Sequence, residues 1–359
     1  MFILNLRQRK TSVLLLLIVL ALFLFYALEI QEEFIINRIV LIKGEWGKGD
    51  GQFGLGQGLD GKKYGPQSFC LDQSGNIYVL DTYNNRIALY NYQGEPICSI
   101  NVGQSSQRKT FLTDVAVDAT GNIWVVDNAG GQVLRFTPSG GPLAPFQPDT
   151  PEVGDKGDLR VIEGILVDWA GNLYLEDSYT GVEKLTRRVR RFGPKGTLDL
   201  DLATVVTSRR DGGSTQALPR DLNSLAVGSA GWLYLDTGRE PFQREIMVYR
   251  EGLPDRQIPI TQTDFIKTSA LLGTDKSGRV YLGVNLGTST GRVLVLGSSG
   301  KTEREMAAPG SGKIEGRILG RVDRDGNVFL ANLAEGHLEI QKVVTQKVKN
   351  LFFLHRSGN

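Results

Sequence analysis

The chain has 359 residues, a formal net charge of +2, two Cys and only two His, His337 and His355. So small a net charge provides no global field toward nucleic acid or anionic lipid. A His-rich catalytic zinc site is excluded by the His count. Length alone suggests two domains, an expectation that the internal repeats overturn.

Near the N-terminus, Arg7, Arg9 and Lys10 precede a continuous apolar run from Val13 to Leu28. The run is slightly short of the roughly 20 residues that cross a bilayer core of about 30 Å. Thr11 and Ser12 on one side, or Ile30 and Phe34 on the other, bring it into range. A cleaved signal peptide has a shorter apolar core ending at an Ala-x-Ala-like site. Here Phe25 and Ala27 flank the only candidate cut, and Phe fits its position poorly. The reading is a cytoplasmic segment 1–11 and an uncleaved transmembrane signal anchor over 12–30. The remainder then faces outward, because the positive flank stays inside. That remainder carries a net charge near −1, since the three basic residues before Val13 are the only charges in residues 1–28.

Arg38 to Trp46 (RIVLIKGEW) reads as a lone strand, followed by a glycine-rich loop, GKGDGQFG, from Gly47 to Gly54. Then one phrase recurs six times: GNIYVLD from Gly75, GNIWVVD from Gly121, GNLYLED from Gly171, GWLYLD from Gly231, GRVYLG from Gly278 and GNVFLA from Gly326. Successive glycines are 46, 50, 60, 47 and 48 residues apart. Periods in this range mark a repeat architecture. Before each glycine comes an apolar strand and a turn (FCLDQSG, VAVDATG, ILVDWAG, LAVGSAG, LLGTDKSG, GRVDRDG). A turn Asp bonds its own backbone and Gly accepts φ > 0, so a hairpin is expected. Further short strands follow each phrase, with no helix-length apolar pattern between them, which argues all-β. Four antiparallel strands per unit, arranged radially, make a propeller blade. Six units predict a six-bladed β-propeller over 37–350 and a C-terminal tail 351–359. Arg38–Trp46 is expected to complete the last blade beside LEIQKVVTQ, with VKNLFFLH as the rival fourth strand.

The unit resembles an NHL repeat, whose Gly-Asn-hydrophobic-aromatic-Val core is followed by Asp, Asn and Arg-Ile. The first copy matches best, with GNIYVLD leading into TYNNRI, giving Asp81, Asn84, Arg86 and Ile87. The Gly47–Gly54 loop is similar to the one preceding an NHL blade. The likeness fades toward the C-terminus, where the fifth and sixth copies lack the terminal Asp. Kelch and WD-repeat propellers are disfavoured, because neither their double glycine nor their Gly-His and Trp-Asp marks recur. The resemblance implies either a binding scaffold or, as in similar lactonases and an amidoglycolate lyase, an enzyme with a metal in the central channel. Some such propellers bind RNA, which an outward location disfavours.

Several residues are candidates for chemistry. Gln67, Thr113, Glu163 and Asn223 align at the starts of innermost strands, with Ser68, Asp114 and Ser224 beside them. Glu163, Asn223 and Asp114 supply the oxygen donors that a Ca²⁺ ion prefers, although polar strand starts are common in any wet channel. Lys184, Arg187, Arg188, Arg190 and Arg191 form a basic strip for an acidic wall polymer or lipid headgroup, or else a solvated outer blade surface. In a strand, Arg187 and Val189 face one way and Arg188 and Arg190 the other. Asp81, Asp127 and Asp177 recur at one position with Gly75, Gly121 and Gly171, and repetition in successive blades points to scaffold. The aromatics Tyr78, Trp124, Tyr174, Tyr234, Tyr281 and Phe329 are expected between blades. Cys70 and Cys98 fall on the innermost and outermost strands of one blade, beyond disulfide reach, and read as two buried free thiols. Two stretches read as inserts, Pro138 to Pro151 and Ser208 to Pro219. Ile314–Arg317 resembles a protease tag but sits in register and reads as native.

The sequence-based expectation is therefore a membrane-anchored, extracytoplasmic, non-catalytic scaffold with no cofactor, holding a protein or cell-envelope partner and no nucleic acid. The alternative is a hydrolase or lactonase-like enzyme with Ca²⁺ in its channel.

Overall fold

The computed structural model describes residues 32–58, 60–103, 111–148, 159–168, 170–180, 185–194, 196–206, 225–228, 231–236, 244–251, 253–260, 266, 269–286, 288–309, 314–316 and 319–349. The chain divides into two units, Arg38–Val343 and the terminal stretches Met1–Asn37 with Val344–Asn359. Within the terminal unit, residues 32–37 and 344–349 continue two strands. The anchor expected over 12–30 and the insert Ser208–Pro219 lie outside the described residues. Among the described residues no helix is long and apolar enough to cross a membrane.

Each repeat is one four-stranded sheet, giving six such sheets, and a seventh sheet has three short strands. The first sheet runs Ser68–Leu71, Ile77–Asp81, Arg86–Tyr90 and Pro96–Asn101. The second runs Leu112–Val117, Ile123–Asp127, Gln132–Phe136 and Pro142–Phe146. The third is Leu159–Val167, Leu173–Thr180, Leu185–Phe192 and Leu198–Val206. The fourth is Leu225–Val227, Leu233–Asp236, Arg244–Arg250 and Leu253–Ile260. Ser269–Thr274, Val280–Val284, Arg292–Leu296 and Thr302–Ala307 make the fifth.

The sixth sheet takes Gly320–Val322, Val328–Leu333 and His337–Lys349, and its outer strand is Glu32–Glu45 from the start of the chain. This is the expected N-terminal clasp. Ile42 is buried in it, the Lys43 ammonium meets Glu339 at 3.1 Å, and the Trp46 indole donates to Ala334 O and Glu335 O at 3.1 and 3.0 Å. The small seventh sheet pairs Ile314–Glu315 in parallel with Lys63–Tyr64, and Ile314 is buried, so the tag-like tetrapeptide contributes to the fold.

Each innermost strand touches the next, and the sixth returns to the first, so the ring closes. Six apolar clusters fill the spaces between consecutive sheets all the way round, and each of the six repeated aromatics sits in a different cluster. Both faces of a middle strand are therefore buried. Ile77–Asp81, Ile123–Asp127 and Val280–Val284 have no exposed residue.

Exposure of the outer strands and burial of the inner ones correct three expectations. Pro138–Pro151 is not simply an insert, because Pro142–Phe146 is the outer strand of the second sheet, where proline is tolerated. Cys98 is exposed rather than buried, since it lies on an outer edge strand, whereas Cys70 is buried on an inner one; both are free thiols. Arg190, read as part of a surface strip, is 2% exposed.

Candidate functional site

The hairpin turns share one design. Asp72 receives the backbone N–H groups of Ser74 and Asn76, the Asn76 amide at 2.8 Å and the Tyr78 hydroxyl at 3.4 Å. Asp118 does the same with Asn122 and the Trp124 indole, and Asp168 with Asn172 and the Tyr174 hydroxyl. The Gly-Asn of the first, second, third and sixth phrases thus has two jobs. The Asn binds the turn Asp, and Gly75, Gly121 and Gly171 take φ of +80 to +83°, which only glycine adopts cheaply. Burial pushes the Tyr174 and Tyr281 phenols up to about 12, with the neighbouring aspartates adding to the effect.

Asp81, Asp127 and Asp177 sit at the opposite end of the second strands. Asp81 is fully buried and accepts from Gly54 N (2.7 Å), Asn84 Nδ2 (2.8 Å) and Arg86 Nε (2.9 Å). Asn84 and the Arg86 guanidinium then donate to carbonyls of the glycine-rich loop, Gly47 O, Gly49 O and Gln52 O. Gly54 has to be glycine here, because a Cβ would meet Tyr83 at 2.7 Å and the Asn84 nitrogen at 2.9 Å. A short 3₁₀ turn, Thr82–Asn84, closed by Asn85 in the left-handed region, sets these groups. The motif that marks the repeat therefore grips the loop upstream of it. Asp127 accepts from Phe111 N at 3.0 Å, and Asp177 pairs with Arg190.

The basic strip does not form one surface. Arg190 is buried on Asp177 with its guanidinium 5.3 Å from the Phe192 ring, because both faces of that strand pack against neighbouring sheets. Arg191 pairs with Asp199 at 2.8 Å, and that bond raises its already high pKa. Arg188 is half-buried. Arg187 sits in the same strand opposite Ser178, and Lys184 lies outside the described residues.

The six innermost strands enclose a central channel with a cavity of roughly 180 Å³, lined by residues from each four-stranded sheet. Of the predicted polar positions, Asp114 lines it. Asp114 is 1% exposed; its Oδ1 accepts from Ser68 Oγ (2.6 Å) and Val115 N (2.8 Å), and its Oδ2 from Ile165 N (3.0 Å). It thereby ties the first, second and third sheets together. Thr113 accepts from the Asn128 amide, which also donates to Ile162 O. Gln67 donates to Gly65 O, and Glu163 accepts from Ser178 Oγ at 2.6 Å. Asn223 and Ser224 lie outside the described residues.

The described part of this set does not suit calcium, which takes 6–8 oxygen ligands. Asp114 already faces three hydrogen-bond donors and, at 3.4 Å, the guanidinium of Arg321. Among the described residues no group of three His, Cys, Asp or Glu side chains is placed to hold a metal ion. Arg321 was not a sequence candidate. The signal was present: at its register position the other five inner strands carry Cys70, Ala116, Leu166, Ala226 and Gly273, and only the sixth carries a cation. Burial pulls its guanidinium below the ordinary value, partly offset by Asp114, and burial pushes the Cys70 thiol up.

The closed ring of repeated sheets and the Asp81–Asn84–Arg86 grip decide the classification. The chain carries an NHL repeat, matched over residues 64–89, and folds as a β-propeller. A streptogramin B lyase structure is 12% identical, with a TM-score of 0.52 over 88% of this chain and 99% of that one. A luciferin-regenerating enzyme is 13% identical, with a TM-score of 0.50 over 87% of this chain and 95% of that one. At such identity the chain shares their fold, and nothing about its activity follows. No curated protein matches the chain in sequence.

Proposed function

We propose that this NHL propeller is a membrane-anchored, extracytoplasmic, non-catalytic scaffold that holds a protein or cell-envelope component. The observation that supports it most is the fate of the polar side chains on and beside the inner strands. Ser68, Asp114, Thr113, Asn128 and Glu163 are bound to groups of neighbouring strands and sheets. A hydrolase or lactonase would need Asp114 to release Ser68 and Ile165 before it bound a metal or a substrate. The outward placement rests on the basic flank and apolar run of residues 7–28.

Two measurements on the full-length chain test this reading. Crosslinking in intact cells with a membrane-impermeant reagent, followed by mass spectrometry, should join the propeller to an envelope component; partners confined to the cytoplasm would refute it. Purified chain should hold less than stoichiometric Ca²⁺, and a chelator should leave its thermal unfolding unchanged. Stoichiometric Ca²⁺ whose removal abolished a hydrolytic activity would establish the enzymatic alternative.

A further inference from the structure

Arg321 lines the cavity with most of its donors unanswered among the described residues, and the Thr274 hydroxyl on the same wall has no hydrogen-bond partner. The Arg321 side chain is 11% exposed and belongs to the cavity wall. A guanidinium carries five N–H donors, and ordinary N–H···O bonds centre near 2.9–3.0 Å. Among the described residues Arg321 has two acceptors, its neighbour Gly320 O and Asp114 Oδ1, both at 3.4 Å. The carboxylate beside it is engaged elsewhere, since Ser68, Val115 and Ile165 all donate to Asp114 at shorter range. Most of the fork is thus left to face the cavity.

The next position along the inner strands is the opposite in character. Leu71, Val117, Val167, Val227 and Val322 line the same cavity, and each is only half-buried although apolar. Each also packs against a different inter-sheet apolar cluster, and the part left uncovered belongs to the cavity wall. One fork of donors therefore shares the cavity with a ring of five apolar side chains completed by Thr274.

The geometry points to the central channel as a binding site for a small organic monocarboxylate with a short apolar body. Its carboxylate would pair with the Arg321 fork, as planar guanidinium favours planar carboxylate. Its apolar part would cover Leu71, Val117, Val167, Val227 and Val322. A compact inorganic anion would leave that ring bare, and a neutral molecule of the same shape would leave the fork unanswered. This reading does not depend on where the chain is located or on what its outer surface holds, so its failure would leave the scaffold reading intact.

The test is calorimetric or ligand-observed NMR titration of the full-length chain with butyrate, butanol and inorganic phosphate, at matched ionic strength and with the protein-free detergent solution subtracted. Butyrate should bind saturably at one site, at least about tenfold more tightly than butanol or phosphate. Arg321→Met should abolish saturable butyrate binding. Arg321→Lys retains a cation for Asp114 but not the fork, so it should fold even if the Met variant does not, and should weaken binding about tenfold. Absence of saturable binding, equal binding of butyrate and butanol, preference for phosphate, or an unchanged affinity in folded Arg321→Lys would each overturn the proposal.

Discussion

The first and fourth repeats make the same four-stranded sheet with different polar equipment. In the first, Asp72 binds its turn and Tyr78, and Asp81 holds Arg86, Asn84 and the Gly54 backbone. In the fourth, the turn Asp is replaced by Gly228 and the Asn by Trp232. The backbone turn is nevertheless the same: Gly228 N bonds Trp232 O at 2.8 Å and Gly231 N bonds Gly228 O at 2.9 Å. Trp232 instead lies under two guanidinium groups, Arg250 at 4.4 Å and Arg256 at 5.2 Å. What the two repeats keep in common is the aromatic, Tyr78 or Tyr234, both buried, and a glycine at φ +80° or +73°. The glycine and the inter-sheet aromatic carry the blade, while the polar clamps reinforce it and can be exchanged.

This ranking can be broken by measurement. Asp81→Ala should be the most damaging change in the first repeat, because it strands a largely buried Arg86 and frees the Gly54 N–H. Removing one partner of a buried pair costs about 3–5 kcal/mol. Denaturant unfolding should register the loss, and limited proteolysis should find the Gly47–Gly54 loop newly cleavable. Loss of stability without new cleavage in that loop would contradict the grip described for the motif.

Trp124→Ala and Tyr234→Ala test the shared aromatic. Each should cost about 3–5 kcal/mol through the cavity left between sheets, and the two should be similar although one repeat has a turn Asp and the other does not. Thermal unfolding that barely moved in either would overturn the equivalence of the six aromatic positions.

Acid should weaken the clasp. Burial by itself would raise the Glu339 carboxyl, but hydrogen bonds from Gln341, Lys43 and His337 outweigh it and hold the pKa at about 2, below the ordinary 4.5. A carboxyl depressed in the folded state stabilises above its unfolded value and loses that contribution as pH falls through the folded one. Stability should therefore decline between about pH 4.5 and 2, by up to about 3 kcal/mol. Glu339→Gln should flatten that part of a pH–stability profile, and an unchanged profile would argue against the clasp as the acid-sensitive joint.

Gly75→Ala and Gly231→Ala should each cost about 1–2 kcal/mol, the usual penalty of placing a side chain at left-handed φ. Both sites have room, as a Cβ at Gly75 would reach no closer than 3.5 Å to another atom and one at Gly231 has open space. The smallest expected effect is Asp72→Ala, about 1 kcal/mol, because Gly228 already demonstrates the turn without an Asp. Calorimetric melting of the set would order them, and a larger loss for Asp72→Ala than for Gly75→Ala would reverse the conclusion drawn from the two repeats.

The sequence by itself determined the repeat unit, the all-β propeller, the inter-sheet aromatics, the hairpin turns and the N-terminal clasp. Each depends on periodicity, on turn chemistry or on a surplus strand, and these are local properties of the chain. It did not disclose which polar residues would be consumed by the ring. Asp114 looked like a metal ligand until Ser68 from the preceding sheet and Ile165 from the following one were brought to its oxygens. Arg190 looked like surface because strand alternation assigns one solvent face, whereas stacked sheets bury both. Arg321, 207 residues from Asp114 along the chain, drew no attention because its meaning depends on closure of the ring. Only the tertiary structure decides such cases: hydrogen-bond acceptors are used up by donors distant in sequence, and burial is set by the neighbouring sheet rather than by the strand's own pattern.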